Sequence, residues 1–417
     1  MSLAAACIVE PHLQAEYANP ALVLGRALHA PWNEGTRVIN RNFARVASSQ
    51  RSTRVLSVTD QRFRSVASRT PPEAFCVEHV FTPYGYGWRG MQMAVPHIMR
   101  RLGASDLRAS GVAHLFGVPL SLAPWLRSRG IRVVVHVMAV SLRRRDRLLV
   151  RLAMDVFRPW IDAFAVSSEA LVSRFVASGI PASKLLVMPH AIDMQAFLPG
   201  DGRSARQYLG VDPGESLVVY LGRLSPRRFP ANMIASALSQ AASQGARPIR
   251  LLALSPDRTF DGSENTAEYL LECSRVAERL LRDVAGVAVD VRLGSLAEPS
   301  KIALFRASDA VLLPFAATEA VEPPLTLIEA MACGANVVAT PAANRSGLIR
   351  SGYNGFIGDT PAQFSARLAD ALALPRGTSR LGNNARRSVL DRHSFAAVGD
   401  ATAGVWRHVE GSRTAAR

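Results

Sequence analysis

Residues 309–334, DAVLLPFAATEAVEPPLTLIEAMACG, constrain the fold more than any other stretch of the chain. The run DAVLLPF is short and apolar throughout, as a strand buried on both faces must be. A loop with two carboxylates, Glu319 and Glu322, follows, and residues 325–333 then bring good helix formers without a break. Gly334 stands where a left-handed residue caps a helix, and Pro323 and Pro324 stand where a missing N–H does no harm. The first amides of that helix, from Leu325 and Thr326 onward, have no carbonyl to bond and lie beside the C-terminal edge of a sheet. That is an anion site by geometry and dipole. Glu329, three residues after Thr326, shares its helical face. An anion cradle with a carboxylate one turn later suits a nucleotide diphosphate and its ribose.

The same alternation runs along the whole chain. Apolar runs at 21–31, 53–59, 75–81, 111–117 and 131–140 precede polar or helix-patterned stretches, and so do later runs at 217–221, 249–254, 287–296 and 335–341. Strands alternating with helices call for parallel sheets covered on both faces. A chain of 417 residues exceeds one ordinary core, so two domains are expected. The first is placed at residues 1–194 and the second at 216–394, with a Pro- and Gly-rich linker over 195–215.

The triplet Gly85, Gly87, Gly90 has dinucleotide-loop spacing between a strand and a helix. Bulky Tyr86 and Trp88 occupy the places where backbone must approach a pyrophosphate, and no strand ending in an acidic residue follows. An aromatic loop touching an acceptor is the reading that remains. Residues 141–160 set Arg143, Arg144, Arg145, Arg147 and Arg151 among Leu148, Leu149, Leu152, Met154 and Phe157. This is a basic amphipathic helix, either a solvated helix with a core face or a membrane-docking one.

With 48% hydrophobic and 20% charged residues the composition is that of a soluble globular protein. The net charge of +16 asks for an anionic neighbour: nucleotide, membrane surface or nucleic acid. No nucleic-acid-binding motif accompanies it, so nucleic acid is not expected as a partner. The opening MSLAAACIVEPHL has no basic start and meets Glu10 early, a poor secretory signal. Cys7, Cys76, Cys273 and Cys333 lie apart without metal-ligand spacing. They are expected as buried small apolar residues in a reducing cytoplasm.

Residues 309–334 also resemble the donor-site signature of the retaining GT4-like glycosyltransferases, which usually runs E-G-F-P-L-T-L-L-E-A-M-A-C-G. Its second glutamate maps onto Glu329. Its first falls on Val321, while Glu322 lies one residue later, with six residues between it and Glu329. Residues 163–193, AFAVSSEALVSRFVASGIPASKLLVMPHAID, resemble the family's a-V-S-x-a…G-v-p-x-x-K-v-x-V-i-P-N-G-V-D, with His190 and Ala191 in place of Asn-Gly. Locally these residues make a strand, a Ser-capped helix and a short strand. Residues 222–228, GRLSPRR, resemble G-R-L-x-x-x-K-G, with Arg228 at the lysine position and Phe229 at the final glycine. Residues 347–356 resemble E-x-I-x-x-G-x-N-G-f, with Gly347 in place of the glutamate.

The resemblance implies the GT-B fold, two Rossmann-like doubly wound parallel-sheet domains facing across a cleft, with a last helix, 395–417, returning to the first domain. It implies a retaining hexosyltransferase that uses a nucleotide-diphosphate sugar, needs no metal or other cofactor, and acts on a glycan or lipid-linked acceptor in cell-surface polysaccharide or glycolipid synthesis. Such an enzyme would be cytoplasmic, peripheral on the inner face of the membrane. Arg223 and Arg228 would neutralise the departing diphosphate, Glu329 would bind the ribose, and Glu322 or Glu319 would lie near the sugar. Gly222, Leu296, Leu325 and Thr326 fall among the donor contacts. Gly35 matches the family's small loop facing the donor phosphates, and is equally an ordinary strand-to-helix turn. The family's strand-end histidine, near the reaction centre, aligns with Met138; His136 lies on the same strand face and is alternatively a buried, hydrogen-bonded histidine. Two other functions stay open: a nucleotide-sugar epimerase or hydrolase of the same architecture, and a non-catalytic scaffold, to which Val321, Met138, Phe229 and Gly347 lend weight.

Overall fold

A computed structural model describes residues 19–29, 35–69, 75–85, 88–103, 110–137, 152, 154–244, 247–256, 267–317, 321–376 and 379–411. The chain divides into two compact units, one reaching Ala191 and resuming at Phe395, the other spanning Ile192–Ser394. Each is built on a parallel sheet.

The first unit holds β1 (Ala21–Arg26), β2 (Thr53–Asp60), β3 (Val77–Thr82), β4 (Val112–Phe116), β5 (Arg132–Val137), β6 (Ala163–Val166) and β7 (Leu185–Val187). Their order is β3-β2-β1-β4-β5-β6-β7. Val23 of β1 pairs with Val55 of β2 on one side and His114 of β4 on the other, so the strand order reverses at β1 and β4. Below the sheet, Leu24, Leu56, Leu115 and Val133 pack with Ile98 and Leu102 of the Val95–Gly103 helix. Above it, Phe43 of the Gly35–Gln50 helix meets the rings of His114 and Phe116 at 4.7 and 5.0 Å. The last helix, Phe395–Gly411, joins that upper layer, where Val398 packs with Val46 and Ala191. Each large apolar side chain removed from water in this way contributes roughly 1.5–3 kcal/mol.

The second unit holds β8 (Ser216–Leu221), β9 (Ile249–Ser255), β10 (Val287–Leu293), β11 (Ala310–Leu313), β12 (Val337–Ala339) and β13 (Phe356–Ile357), in the order β10-β9-β8-β11-β12-β13. This is the doubly wound order, with its reversal between β8 and β11. Helices cover both faces, and so the central strands β8 and β11 carry continuous apolar runs. Asp309 shows how the edge is pinned. Its carboxylate accepts from the Leu217 amide at 2.7 Å and from the Arg206 guanidinium at 3.0 Å, all inside the protein.

Four expectations are revised. Residues 195–215 are not a bare linker, because they contain the Arg203–Tyr208 helix, whose buried Arg206 also donates to Ala307 and Glu215 carbonyls. The change of unit comes at Ala191, three residues before the expected place. The reason is Arg386, which donates to the Phe197 and Met194 carbonyls at 2.7 and 3.2 Å and ties that stretch to the second unit. Ser168 sits at the N-cap of the Glu169–Ala177 helix with extended backbone, yet its side chain makes no capping bond. Cys76 is exposed rather than buried, since it precedes β3 at the edge of the sheet; Cys273 and Cys333 are buried. Met138, the arginines between 141 and 151, and Glu319 lie outside the described residues.

Candidate nucleotide site

Open α/β sheets bind ligands outside the carboxyl ends of the strands where the strand order reverses. In the second unit that point lies between β8 and β11, and two loops of the sequence signature meet there. β8 ends at Leu221, whose carbonyl accepts from the Thr326 hydroxyl at 3.3 Å. The loop after β11 returns the contact, as the Ala316 and Ala317 amides donate to the Arg227 carbonyl at 2.8 and 3.2 Å. Arg228 lies over the Phe315 ring at 5.8 Å. The structure thus brings Gly222, Arg223, Arg228, Leu325 and Thr326 to one edge.

Gly222 is required by its neighbour. A Cβ there would stand 2.9 Å from the Tyr220 hydroxyl. That hydroxyl donates to the Arg223 carbonyl at 2.6 Å and fixes the course of the loop, and burial pushes its pKa well up. Phe229, where the resembling pattern has glycine, is buried against Tyr220 with ring centroids 4.7 Å apart. The bulkier residue is absorbed by the core beneath the loop and not by the site.

The Leu325–Ala332 helix opens at Pro324 without a side-chain cap, so the Leu325 and Thr326 amides face outward from its N-terminus. Gly334 has φ of +73°, and the Ala335 amide reaches back to the Ala330 carbonyl at 3.0 Å, the left-handed cap read from the sequence. Arg386 donates to the Ala332 carbonyl at 2.7 Å, placing a cation at the negative end of the helix.

The carboxylates are engaged. Glu329 is 3% exposed and accepts from Lys301 Nζ at 2.6 Å; burial raises its pKa, opposed by the ammonium. Glu322 is equally buried and accepts from the Ser346 amide at 2.7 Å, which ties it to the loop after β12. Gly347, next in that loop, has φ of +69°, a backbone that disfavours the glutamate of the resembling pattern. Leu296 is half-buried and packs on the apolar cluster that holds Leu217, Val219, Leu252 and Leu254. Lys301, on the Glu298–Ala307 helix, was not foreseen.

Gly35 and His136 belong to the first unit. Gly35 opens the Gly35–Gln50 helix after β1, again at a reversal of strand order, and buried Arg37 donates to the Ala27 carbonyl at 2.7 Å. His136 is half-buried at the end of β5, with Nε2 2.8 Å from His114 Nδ1, the polar contact that the alternative reading expected without its full burial. His114 and Trp406, which complete that contact, had no sequence signal. Among the described residues no group of three or more His, Cys, Asp or Glu side chains could hold a metal, and no helix is long and apolar enough to cross a membrane.

Residues 289–388, covering the Glu298–Ala307 and Leu325–Ala332 helices, match the family described as glycosyl transferases group 1. A D-inositol 3-phosphate glycosyltransferase of Segniliparus rotundus is 32% identical over 203 residues, 48% of this chain and 41% of that protein. A second D-inositol 3-phosphate glycosyltransferase, from Rhodococcus erythropolis, is 28% identical over 216 residues, 50% of this chain and 45% of that protein. The chain thus spans less than half the length of these curated relatives. Two solved structures match the chain in fold. Anabaena HepE in complex with UDP and glucose aligns with TM-score 0.70 at 19% identity, covering 93% of this chain and 99% of that one. Sucrose-phosphate synthase of Thermosynechococcus elongatus aligns with TM-score 0.73 at 15% identity, covering 94% and 100%. The fold is GT-B, as expected from the sequence.

Proposed function

We propose that the chain transfers a hexose from a nucleotide-diphosphate sugar, with retention and without a metal, to a glycan or lipid-linked acceptor. The observation that carries this is the meeting of the 222–228 loop with the start of the Leu325–Ala332 helix at the β8/β11 reversal. Arg223 and Arg228 with the Leu325 and Thr326 amides supply cations and N–H groups for a leaving diphosphate, charge that other enzymes draw from a metal. Glu329, one turn into the helix, serves the ribose, with Lys301 holding it in the interior until a nucleotide arrives. Glu322 and Glu319 are assigned to the sugar side. UDP is the nucleotide to try first, because it occupies the structural neighbour HepE. The curated relatives add a phosphorylated polyol to the acceptors worth trying. The net charge of +16 and the arginines between 141 and 151 favour work at an anionic membrane surface.

A thermal-shift panel of UDP, GDP, ADP and dTDP, repeated on Arg228→Ala, tests the core of this reading. One nucleotide should stabilise the wild type and not the variant. No stabilisation by any of them would sink it. A second reading, a group 1 relative that has lost transfer, is favoured by Val321 at the first glutamate position and by the bond holding Glu322 to Ser346. It predicts nucleotide binding with no sugar transferred to any acceptor.

A further inference from the structure

A hollow in the first unit, at the carboxyl ends of β4, β5 and β6, is lined by Phe43, Phe116, His136, Ser167 and His190, with Val398 of the last helix. Behind His136 stand two more rings in line. Trp406 Nε1 donates to His114 Nε2 at 2.8 Å, and His114 Nδ1 lies 2.8 Å from His136 Nε2. Trp406 is fully buried, as is His114, so the bond between them does not compete with bulk water.

The direction of the first bond is fixed by chemistry, and the rest follows. An indole can only donate. His114 Nε2 must therefore carry a lone pair, and the hydrogen of the neutral ring sits on Nδ1. That hydrogen points at His136 Nε2, which must accept in turn, leaving the hydrogen of His136 on its own Nδ1. Neither ring can take a second proton without breaking the line.

We infer that Trp406 and His114 are positioning residues that lock His136 in its Nδ1–H tautomer, so that the hollow always offers a hydrogen-bond donor to an entering oxygen and never a lone pair. The charged and titratable groups around the line agree. Arg51 lies over Trp406 at 5.1 Å and is paired with Glu410 at 2.9 Å; burial, with the charge of Arg51 second, lowers the His114 pKa to about 3. Burial, then His114 and His190, holds His136 well below the ordinary histidine value. Phe43 and Phe116 supply the remaining walls, with the Phe116 ring stacked on His136 at 3.7 Å.

The test is histidine-labelled full-length protein and long-range proton–nitrogen correlation spectra, in which each ring nitrogen reports whether it carries hydrogen. His136→Gln and His114→Gln assign the signals. In the wild type both rings should be protonated at Nδ1 alone, unchanged from pH 5 to pH 8. Trp406→Phe keeps a ring and removes the donor, and should release the line: mixed tautomers at both histidines and a proton taken up as pH falls. Hydrogen on Nε2 of His136 in the wild type would overturn the inference. So would identical histidine signatures in the Trp406→Phe protein. No sugar donor enters the measurement, so its outcome is independent of the glycosyl-transfer reading.

Discussion

Glu329 and Lys301 show what a single buried charge pair demands. Removing one partner leaves an uncompensated charge inside the protein, a loss on the order of 3–5 kcal/mol. Lys301→Met should therefore lower the urea midpoint sharply, and Lys301→Met with Glu329→Gln should recover most of the loss; a single variant as stable as the wild type would show the pair to be solvated. The pH dependence has a definite sign. Burial holds the Glu329 pKa above the ordinary 4.5, so the folded state binds its proton more tightly than the unfolded chain. That contribution is complete below 4.5 and is lost as pH rises through the folded value. Relative to Glu329→Gln, the wild type should thus lose stability between pH 4 and pH 7, as urea unfolding at the two pH values would show. Glu329 itself was legible from its place in the helix. Its partner was not, because 28 residues separate the two and nothing in either segment names the other. The same holds for His114 and Trp406, 292 residues apart.

At the scale of elements, the chain wrote its strands and helices plainly. Runs such as LVVYL and DAVLLPF match β8 and β11 within a residue or two, because strands covered on both faces have no polar side to blur the signal. Caps and links were harder. Gly334 was read correctly, since only a left-handed backbone explains glycine after such a helix. Gly334→Ala should cost about 1–2 kcal/mol for that reason, measurable as a lower urea midpoint. The stretch after Asp193 was read as a free link because its glycines and prolines gave no hint of Arg386. Arg386→Met removes the donors to Met194, Phe197 and Ala332. It should expose this stretch to limited proteolysis between residues 195 and 205 while nucleotide stabilisation survives; cutting at the wild-type rate would show the arginine to be dispensable there.

For the molecule as a whole, two sheets with the same reversal of strand order were legible as a two-domain α/β protein, and the resemblance gave the fold its name. What a parallel sheet leaves open is which carboxyl-end residues face one another, and that depends on loops too short to carry a period. The proposed metal-free chemistry belongs to this scale. Transfer, once a donor is found, should be unchanged in excess EDTA; loss of turnover restored by a divalent cation would reject it. The charge of +16 likewise predicts adhesion to anionic vesicles that weakens as salt rises, absent with neutral lipid, as flotation would show.

The first unit is completed by the last helix. Trp406 has no exposed surface, and Val398 shares a cluster with Val46 and Ala191. On the ribosome this inverts the order of synthesis. The second unit, Ile192–Ser394, has every strand of its sheet in hand before residue 395 is added, whereas the unit begun first must wait with its upper layer open until the final helix emerges. A stalled chain would hold a finished second unit and an unfinished first one, and the histidine line would be the last thing assembled.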